Sequence, residues 1–283
     1  MKRIFFGIIL ITQIVTSQNI LNGKILSKDN NEPISYVNIG IINKDVGTVS
    51  DENGDFELIL VLGNEYYVNE TNEKDSILIS SIGFKSQKFT VLELQKKLKE
   101  TKKIYLETDT IFLNEVVISS YKNLKEEIIG KTHKSKTEAV FKDCPLGYEM
   151  GTKIKIGKSP TIVKSFNTYI IKNNLGFKKF RLNFYSIKKG KPSTKLFNKD
   201  IIFEIPLKEG DFKLDLEEYD IILKEDCIVT IETLDNDKNG DTLNEISFSA
   251  KLLGGSIYYR KTSQGKWKKT KMASIGFNLN VLQ

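Results

Sequence analysis

Apolar and polar positions alternate along much of this chain, and that alternation predicts its elements. Over 56–60, Phe56, Leu58 and Leu60 fall on one side and Glu57 on the other, the period-two pattern of a half-buried strand. Val37, Ile39 and Ile41 repeat it with Asn38 opposite, and Phe180, Leu182 and Phe184 repeat it against Arg181, Asn183 and Tyr185. Read in order, the first third predicts strands over 20–27, 35–42, 47–50, 56–62, 76–81, 85–91 and 103–106, with one or two helical turns at 92–98. Asn53-Gly54 separates two of these runs. Asn-Gly supplies the positive φ that a type I′ turn needs at both central positions, so a two-residue hairpin is predicted there.

A strand at 113–118 and a weak helical spacing at 121–129 follow. From Cys144 onward strands resume over 152–156, 162–171, 179–187, 200–206, 219–223, 227–233, 245–252, 256–261 and 275–282. Closely spaced strands with few helices are the pattern of a second sandwich, here expected to be jelly-roll-like. The fold class is therefore all-β, with two β-sandwich domains. About 265 residues follow the N-terminal apolar run, more than one small sandwich needs.

Several motifs in the first third stand in a recognisable order. They are Gly23-Lys24-Ile25, then Glu32-Pro33-Ile34-Ser35-Tyr36-Val37-Asn38-Ile39, the stretch 46–60, the stretch 75–84, and Leu113-Asn114-Glu115-Val116-Val117-Ile118. Together they resemble the carboxypeptidase-like regulatory domain, a transthyretin-like Greek-key β-sandwich of exported Bacteroidetes proteins, over about residues 18–118. The resemblance implies a domain without catalysis of its own. The polar stretch 64–74 is longer than the family's usual link between these strands. In outer-membrane transporters of the same phylum a segment similar to 113–118 leads into a plug and a large barrel. Only about 165 residues follow it here, too few for both. The second half is read from its pattern alone.

Lys2-Arg3, an apolar run over 4–15 and Thr16-Ser17 read as a secretory signal peptide cleaved after Ser17. The run is shorter than the ~20 residues of a membrane-spanning helix, and no later stretch is long and apolar enough to span. No cysteine lies near it to carry a lipoprotein anchor. The expected division is signal peptide 1–17, regulatory-like sandwich 18–108, connector 109–144 and second sandwich 145–283. The expected location is outside the cytoplasm: periplasmic, associated with the outer membrane, or secreted.

Composition supports packed cores, with 40% hydrophobic and 10% aromatic residues. The net charge of +7 hides blocks: 151–199 holds thirteen Lys or Arg and no acid, 200–245 holds fifteen acids against four bases, and 246–283 holds seven bases and no acid. Two arrangements follow. Basic strands can pair beside acidic ones, each cross-strand pair worth ~0.2–1 kcal/mol. Alternatively the basic blocks make a patch for an anionic partner, with Arg181, Lys188 and Lys268 as contributors. Interleaving is the expectation. Tyr169, Phe177, Tyr185, Tyr258, Tyr259 and Trp267 lie among these charges and could stack on sugar rings, although aromatics in strands more often belong to the core.

Catalytic signatures are thin. His133 is the only histidine, so a zinc peptidase site with two histidines cannot be assembled; a Ser-His-Asp site would have to use His133, and no Gly-x-Ser-x-Gly elbow appears. Carboxylate-only hydrolysis needs two acids in a cleft, and no pair stands out. The run 235–241 begins like a calcium-binding loop, but Ile246 occupies the position of the bidentate glutamate and Glu245 falls one place early. A hairpin loop explains it better. Cys144 and Cys227 are the two cysteines; an oxidising compartment permits a disulfide between them, and two buried thiols fit as well. No cofactor is implied. The expected function is that of an exported, non-catalytic envelope binding or scaffolding protein. The alternatives are a glycan-binding accessory of polysaccharide uptake or adhesion, and a hydrolase with an unrecognised carboxylate site. The expected partner is an envelope protein or a glycan, not nucleic acid.

Overall fold

The computed structural model describes residues 18–61, 71–109, 124–174, 178–235 and 245–283. The signal-peptide reading, the strand at 113–118, most of the stretches 64–74 and 235–241, and Phe177 lie outside them.

The first unit contains β1 (Gln18–Ser27), β2 (Asn38–Ile41), β3 (Gly47–Val49), β4 (Asp55–Val61), β5 (Ser76–Ser80), β6 (Gln87–Thr90), helix α1 (Val91–Thr101) and β7 (Lys103–Leu106). They form a three-stranded sheet in the order β4-β1-β7 and a four-stranded sheet in the order β3-β2-β5-β6. Between the sheets lie the apolar sides that alternation marked out, including Ile25, Val37, Ile39, Phe56, Leu58 and Leu60. Helix α1 is longer than the predicted turns because its start is well capped. The Thr90 hydroxyl accepts from the Glu93 amide at 3.2 Å and the Glu93 carboxylate accepts from the Thr90 amide at 2.7 Å. Val91, Leu94 and Leu98 pack its inner face into the core.

The predicted Asn53-Gly54 hairpin does not form. β3 pairs with β2 and β4 pairs with β1, so residues 50–54 carry the chain from one sheet to the other. Only Gly54 of the pair takes positive φ, at +76°. Asp51 organises the turn instead: its Oδ1 accepts from the amides of Asn53 and Asp55, both at 2.8 Å. Asn-Gly thus signals a turn here without choosing which strands it joins.

The second unit begins earlier than expected. Residues 126–142 were predicted to be connector, with helical spacing over 121–129. Instead β8 (Glu126–Gly130) and β9 (Thr137–Lys142) are strands of its sheets, antiparallel to chain segments more than a hundred residues away. Next come β10 (Glu149–Ile154), β11 (Thr161–Asn173), β12 (Lys178–Lys188), β13 (Lys191–Lys195), β14 (Ile201–Ile205) and β15 (Gly210–Asp215). A 3₁₀ turn at Glu217–Tyr219 and the two-residue β16 (Ile222–Leu223) replace the strand predicted over 219–223. The rest are β17 (Cys227–Thr233), β18 (Glu245–Leu252), β19 (Ile257–Arg260), β20 (Lys268–Thr270), β21 (Ala273–Ile275) and β22 (Asn278–Leu282).

One sheet runs β13-β12-β17-β10-β19-β20 with β14 also on β12; the other runs β21-β18-β11-β22-β8, with β15 and β16 on β11 and β9 on β18. The chain is all-β with several sandwich-like sheets. Phenylalanines bridge the two layers of the second unit. Phe141 of β9 meets Phe180 of β12 edge-on at 6.2 Å, and Phe248 meets both Phe141 and Phe277 at 5.7 Å. Such edge-to-face contacts add to the burial that drives these sheets together.

Gly54 gives a direct test of the crossover between sheets. A β-carbon there would lie 2.5 Å from the Ile25 carbonyl oxygen, at a φ that β-branched residues resist. Gly54→Val is expected to destabilise the protein by about 1 kcal/mol or more, read as a lowered urea midpoint; an unchanged midpoint would contradict the turn geometry.

Candidate functional site

The densest polar chemistry lies on the face of the seven-stranded sheet that points away from the phenylalanine core. Strand register places four charged residues in one row across four adjacent strands. Arg181 of β12 is opposite Glu232 of β17, Glu232 is opposite Glu149 of β10, and Glu149 is opposite Arg260 of β19. The row therefore reads plus, minus, minus, plus. Arg181, Glu232 and Glu149 are fully buried and Arg260 nearly so.

Two glutamates directly opposite each other repel, and burial adds a desolvation cost to each. The flanking groups offset both. Arg260 Nε donates to Glu149 Oε2 at 2.8 Å, and Arg181 Nη1 lies 3.3 Å from Glu232 Oε2. Asn183 Nδ2 bridges the carboxylates, donating to Glu149 at 2.9 Å and Glu232 at 3.0 Å. The Thr230 hydroxyl donates to Glu149 Oε1, and the Tyr185 hydroxyl donates to Glu149 Oε2 at 3.3 Å. Burial alone would raise the Glu232 pKa, but Arg181, Lys195 and Arg260 outweigh it and hold the carboxyl below its ordinary range. The Trp267 ring covers the Arg260 guanidinium at 4.5 Å.

The row also reaches the first unit. Arg181 Nη2 donates to the Tyr36 carbonyl at 2.6 Å, and its Nε is 2.9 Å from Asp200 Oδ1. Tyr36 has φ +53°, in the turn that presents this carbonyl. Beside it the segment between β19 and β20 docks on β2 and β3. The Asn43 amide donates to the Gln264 carbonyl at 2.9 Å, Gln264 Nε2 donates to Ser80 Oγ at 3.1 Å, and Lys268 pairs with Asp45 at 3.1 Å. The approach is close: a β-carbon on Gly47 would lie 3.0 Å from Thr262 Cβ. A cleft of about 880 Å³ opens along this junction, between the 45–59 segment and Pro145, Leu146 and Leu234. Its acids are partly spoken for, since Asp55 pairs with Lys24 at 2.9 Å and Glu52 with Lys179 at 3.2 Å.

The residues expected to form an anionic-partner patch part company. Arg181 was expected to point outward by alternation. It does lie on the face opposite the core, but the first unit covers that face, so the side chain is buried and ion-paired. Lys268 is exposed and held by Asp45, and Lys188 is exposed at the end of β12. Some charges of the blocks meet their opposites: β11 pairs with β15, Arg181 of β12 lies opposite Glu232 of β17, and Lys153–Asp226, Lys164–Glu217 and Lys172–Glu245 form ion pairs. Tyr185 and Tyr258 are buried.

No disulfide joins Cys144 and Cys227. Cys227 pairs with Ile154 at one end of the β10–β17 ladder, whereas Gly147, three residues past Cys144, bonds Thr233 at the other. Six residues of strand span about 20 Å, against the ~5.5 Å between α-carbons that a disulfide needs. Burial pushes the Cys227 thiol up to about 12. His133 lies between two serines, with Nδ1 3.4 Å from Ser249 Oγ and Nε2 3.4 Å from Ser274 Oγ. Both serines are buried. Among the described residues no three acid, His or Cys side chains gather as a metal site, and no helix is long and apolar enough to cross a membrane.

Comparison with known families now bears on the first unit. Residues 21–118 match the CarboxypepD_reg-like domain. The regulatory-like domain is non-catalytic. The match ends before the second unit and the buried row. A search of curated proteins finds no match. Among solved structures, the chain is similar to the clostridial cysteine protease Cwp84 after propeptide cleavage, at 11% identity and TM-score 0.39, covering 93% of this chain and 71% of that one. It is also similar to infectious bursal virus derived T=1 particles, at 8% identity and TM-score 0.25, covering 93% of this chain and 60% of that one. Likeness at this level carries no argument about function.

Two predictions test the row and the histidine. Arg181→Met removes the cation between Glu232 and Asp200 and is expected to cost about 3–5 kcal/mol in urea unfolding. A loss within 1 kcal/mol would show that the row is not held as described. Burial lowers the His133 pKa, with Lys131 and Lys251 adding to the depression. The folded state therefore favours the neutral ring. The stability it contributes is complete above about 6.5, the unfolded value, and is lost as pH falls through the lower folded pKa. As the chain's only imidazole, its ring protons can be followed alone by NMR; a midpoint at or above 6.5 would contradict its burial.

Proposed function

We propose that the chain is an exported, non-catalytic binding or scaffolding protein of the cell envelope, in which the regulatory-like domain and the second sandwich act as one rigid body. The observation that carries this reading is the junction. The most costly charged residues in the second unit are spent on internal pairs and on a contact with the first unit, not on an open reaction centre. Both oxygens of Glu149 already accept hydrogen bonds, and Arg181 and Asn183 hold Oε2 of Glu232, so this buried pair of carboxylates is poorly placed for acid–base work. Export is the reading of residues 1–17. A partner protein of the envelope suits such a body better than a glycan, because Tyr185 and Tyr258 are buried and Trp267 is occupied by Arg260.

The protein recovered from cells is expected to begin near Gln18 and to fractionate with the envelope or the medium. Intact Met1 in cytoplasmic material, identified by mass spectrometry, would overturn the export half of the proposal. Purified protein is expected to leave peptide substrates uncut with or without added zinc. Hydrolysis abolished by His133→Ala or Glu149→Gln would overturn the non-catalytic half.

A further inference from the structure

The second unit carries an apolar tip that the junction does not use. β18 alternates Phe248 and Ala250 into the core, and Leu252 continues the same side. Yet Leu252 is 63% exposed, because the ladder runs on past the edge of the core. Leu253 follows at 79% and Met272 joins at 62%. The three belong to one place: Leu252 is opposite Ala273, and the Leu253 amide donates to the Met272 carbonyl at 2.8 Å. Leu253 holds φ +60°, a conformation that costs a non-glycine residue and that no buried contact of its own side chain repays.

The chain segment that forms the tip carries charge of one sign, although Glu138 of the neighbouring β9 lies opposite Ser249, two residues before Lys251. Lys251 precedes the two leucines and Lys271 precedes the methionine, both exposed, and residues 246–283 contain no acid. Elsewhere in this block Arg260 is engaged by Glu149, Lys261 and Lys268 by Asp45, and Lys269 lies over the Tyr258 ring, while Lys266 forms no ion pair among the described residues. Among the described residues Lys251 and Lys271 form no ion pair.

Exposed large aliphatic side chains at a turn, flanked by unpaired lysines, match the two attractions of a peripheral membrane contact. The apolar groups enter the headgroup and acyl boundary, and the lysines meet anionic lipid. We infer that Leu252, Leu253 and Met272, with Lys251 and Lys271, form a tip that docks this protein onto an anionic lipid surface. The inference rests on the envelope reading above and gives that reading its surface. Charge complementarity favours lipid over a protein groove, since Lys251 and Lys271 have no ion-pair partner among the described residues and the segment 246–283 that carries the tip contains no acid.

The test is co-sedimentation of purified protein with vesicles of equal parts phosphatidylglycerol and phosphatidylcholine, against pure phosphatidylcholine. Binding to the anionic vesicles is expected, weakening as salt shortens electrostatic reach from ~10 Å at 0.1 M to ~3 Å at 1 M. The triple variant Leu252→Ser, Leu253→Ser, Met272→Ser is expected to reduce partitioning about tenfold or more while keeping the parent's urea midpoint, as the side chains are outside the core. Lys251→Glu with Lys271→Glu is expected to remove the preference for anionic vesicles. Parent and variants differ only at the substituted positions, so the apolar run at residues 4–15, where retained, cannot produce the differences. Equal binding by parent and triple variant, or no binding to either vesicle, would overturn the inference. Self-association that is lost in the triple variant, without vesicle binding, would assign the tip to a protein contact and also overturn it. Cytoplasmic recovery with intact vesicle binding would count against export alone.

Discussion

Four charges in one row across a sheet set the terms for the rest of this structure. Placing Glu149 and Glu232 opposite each other on adjacent buried strands is unfavourable unless cations flank them and donors fill the space between. Arg181 and Arg260 stand at the ends, and Asn183, two residues further along β12 on the same face, bridges the middle. Because the row lies on the sheet's outer face, it is dry only while something covers it. Trp267 covers one end and the Tyr36 turn of the first unit the other. The ion row, the docking of the 261–267 segment and the placement of the regulatory-like domain are therefore one arrangement. Removing any part exposes or unpairs the others.

This coupling explains why the sequence was legible in some places and opaque in others. Strands with a clean period of two, such as Phe56-Leu58-Leu60 and Phe180-Leu182-Phe184, have a core side that neighbours in sequence already determine. Pairing is not local in that sense. Asn53-Gly54 marked a turn, yet the strands on either side joined different sheets, because their partners lie at 18–24 and 38–40. Residues 121–129 carried weak helical spacing, but β8 fills a sheet edge beside β22, and tertiary pairing overrode the local preference. The motifs of the first third fared better, since their order and spacing carry information that a single strand does not.

The buried row was missed for a related reason. Arg181 sits on the polar side of its strand, and a polar side normally means solvent. Whether that side meets water depends on another domain, which periodicity does not encode. One signal was available. In 227–233, Glu232 is the single charge in a run otherwise made of Cys, Ile, Val and Thr, and Glu149 stands alone within 144–152. An isolated acid in an otherwise uncharged strand asks for a buried partner, and the arginines of the alternating strands were the available cations.

Internal use of charge also decides what the surface has left to offer. The net charge of +7 suggested a broad cationic face, but Lys153, Lys158, Lys164, Lys172 and Lys179 of the basic block each pair with an acid. Exposed pairs of this kind contribute little stability, ~0–1 kcal/mol each, and cancel long-range field. What remains is local: short stretches where a cation has no acid within reach. Where such a stretch coincides with aliphatic side chains held clear of the core, as at Leu252 and Leu253, the two features reinforce each other at a surface that is both anionic and apolar beneath. Specificity in this chain is thus better sought in small residual features than in its overall charge.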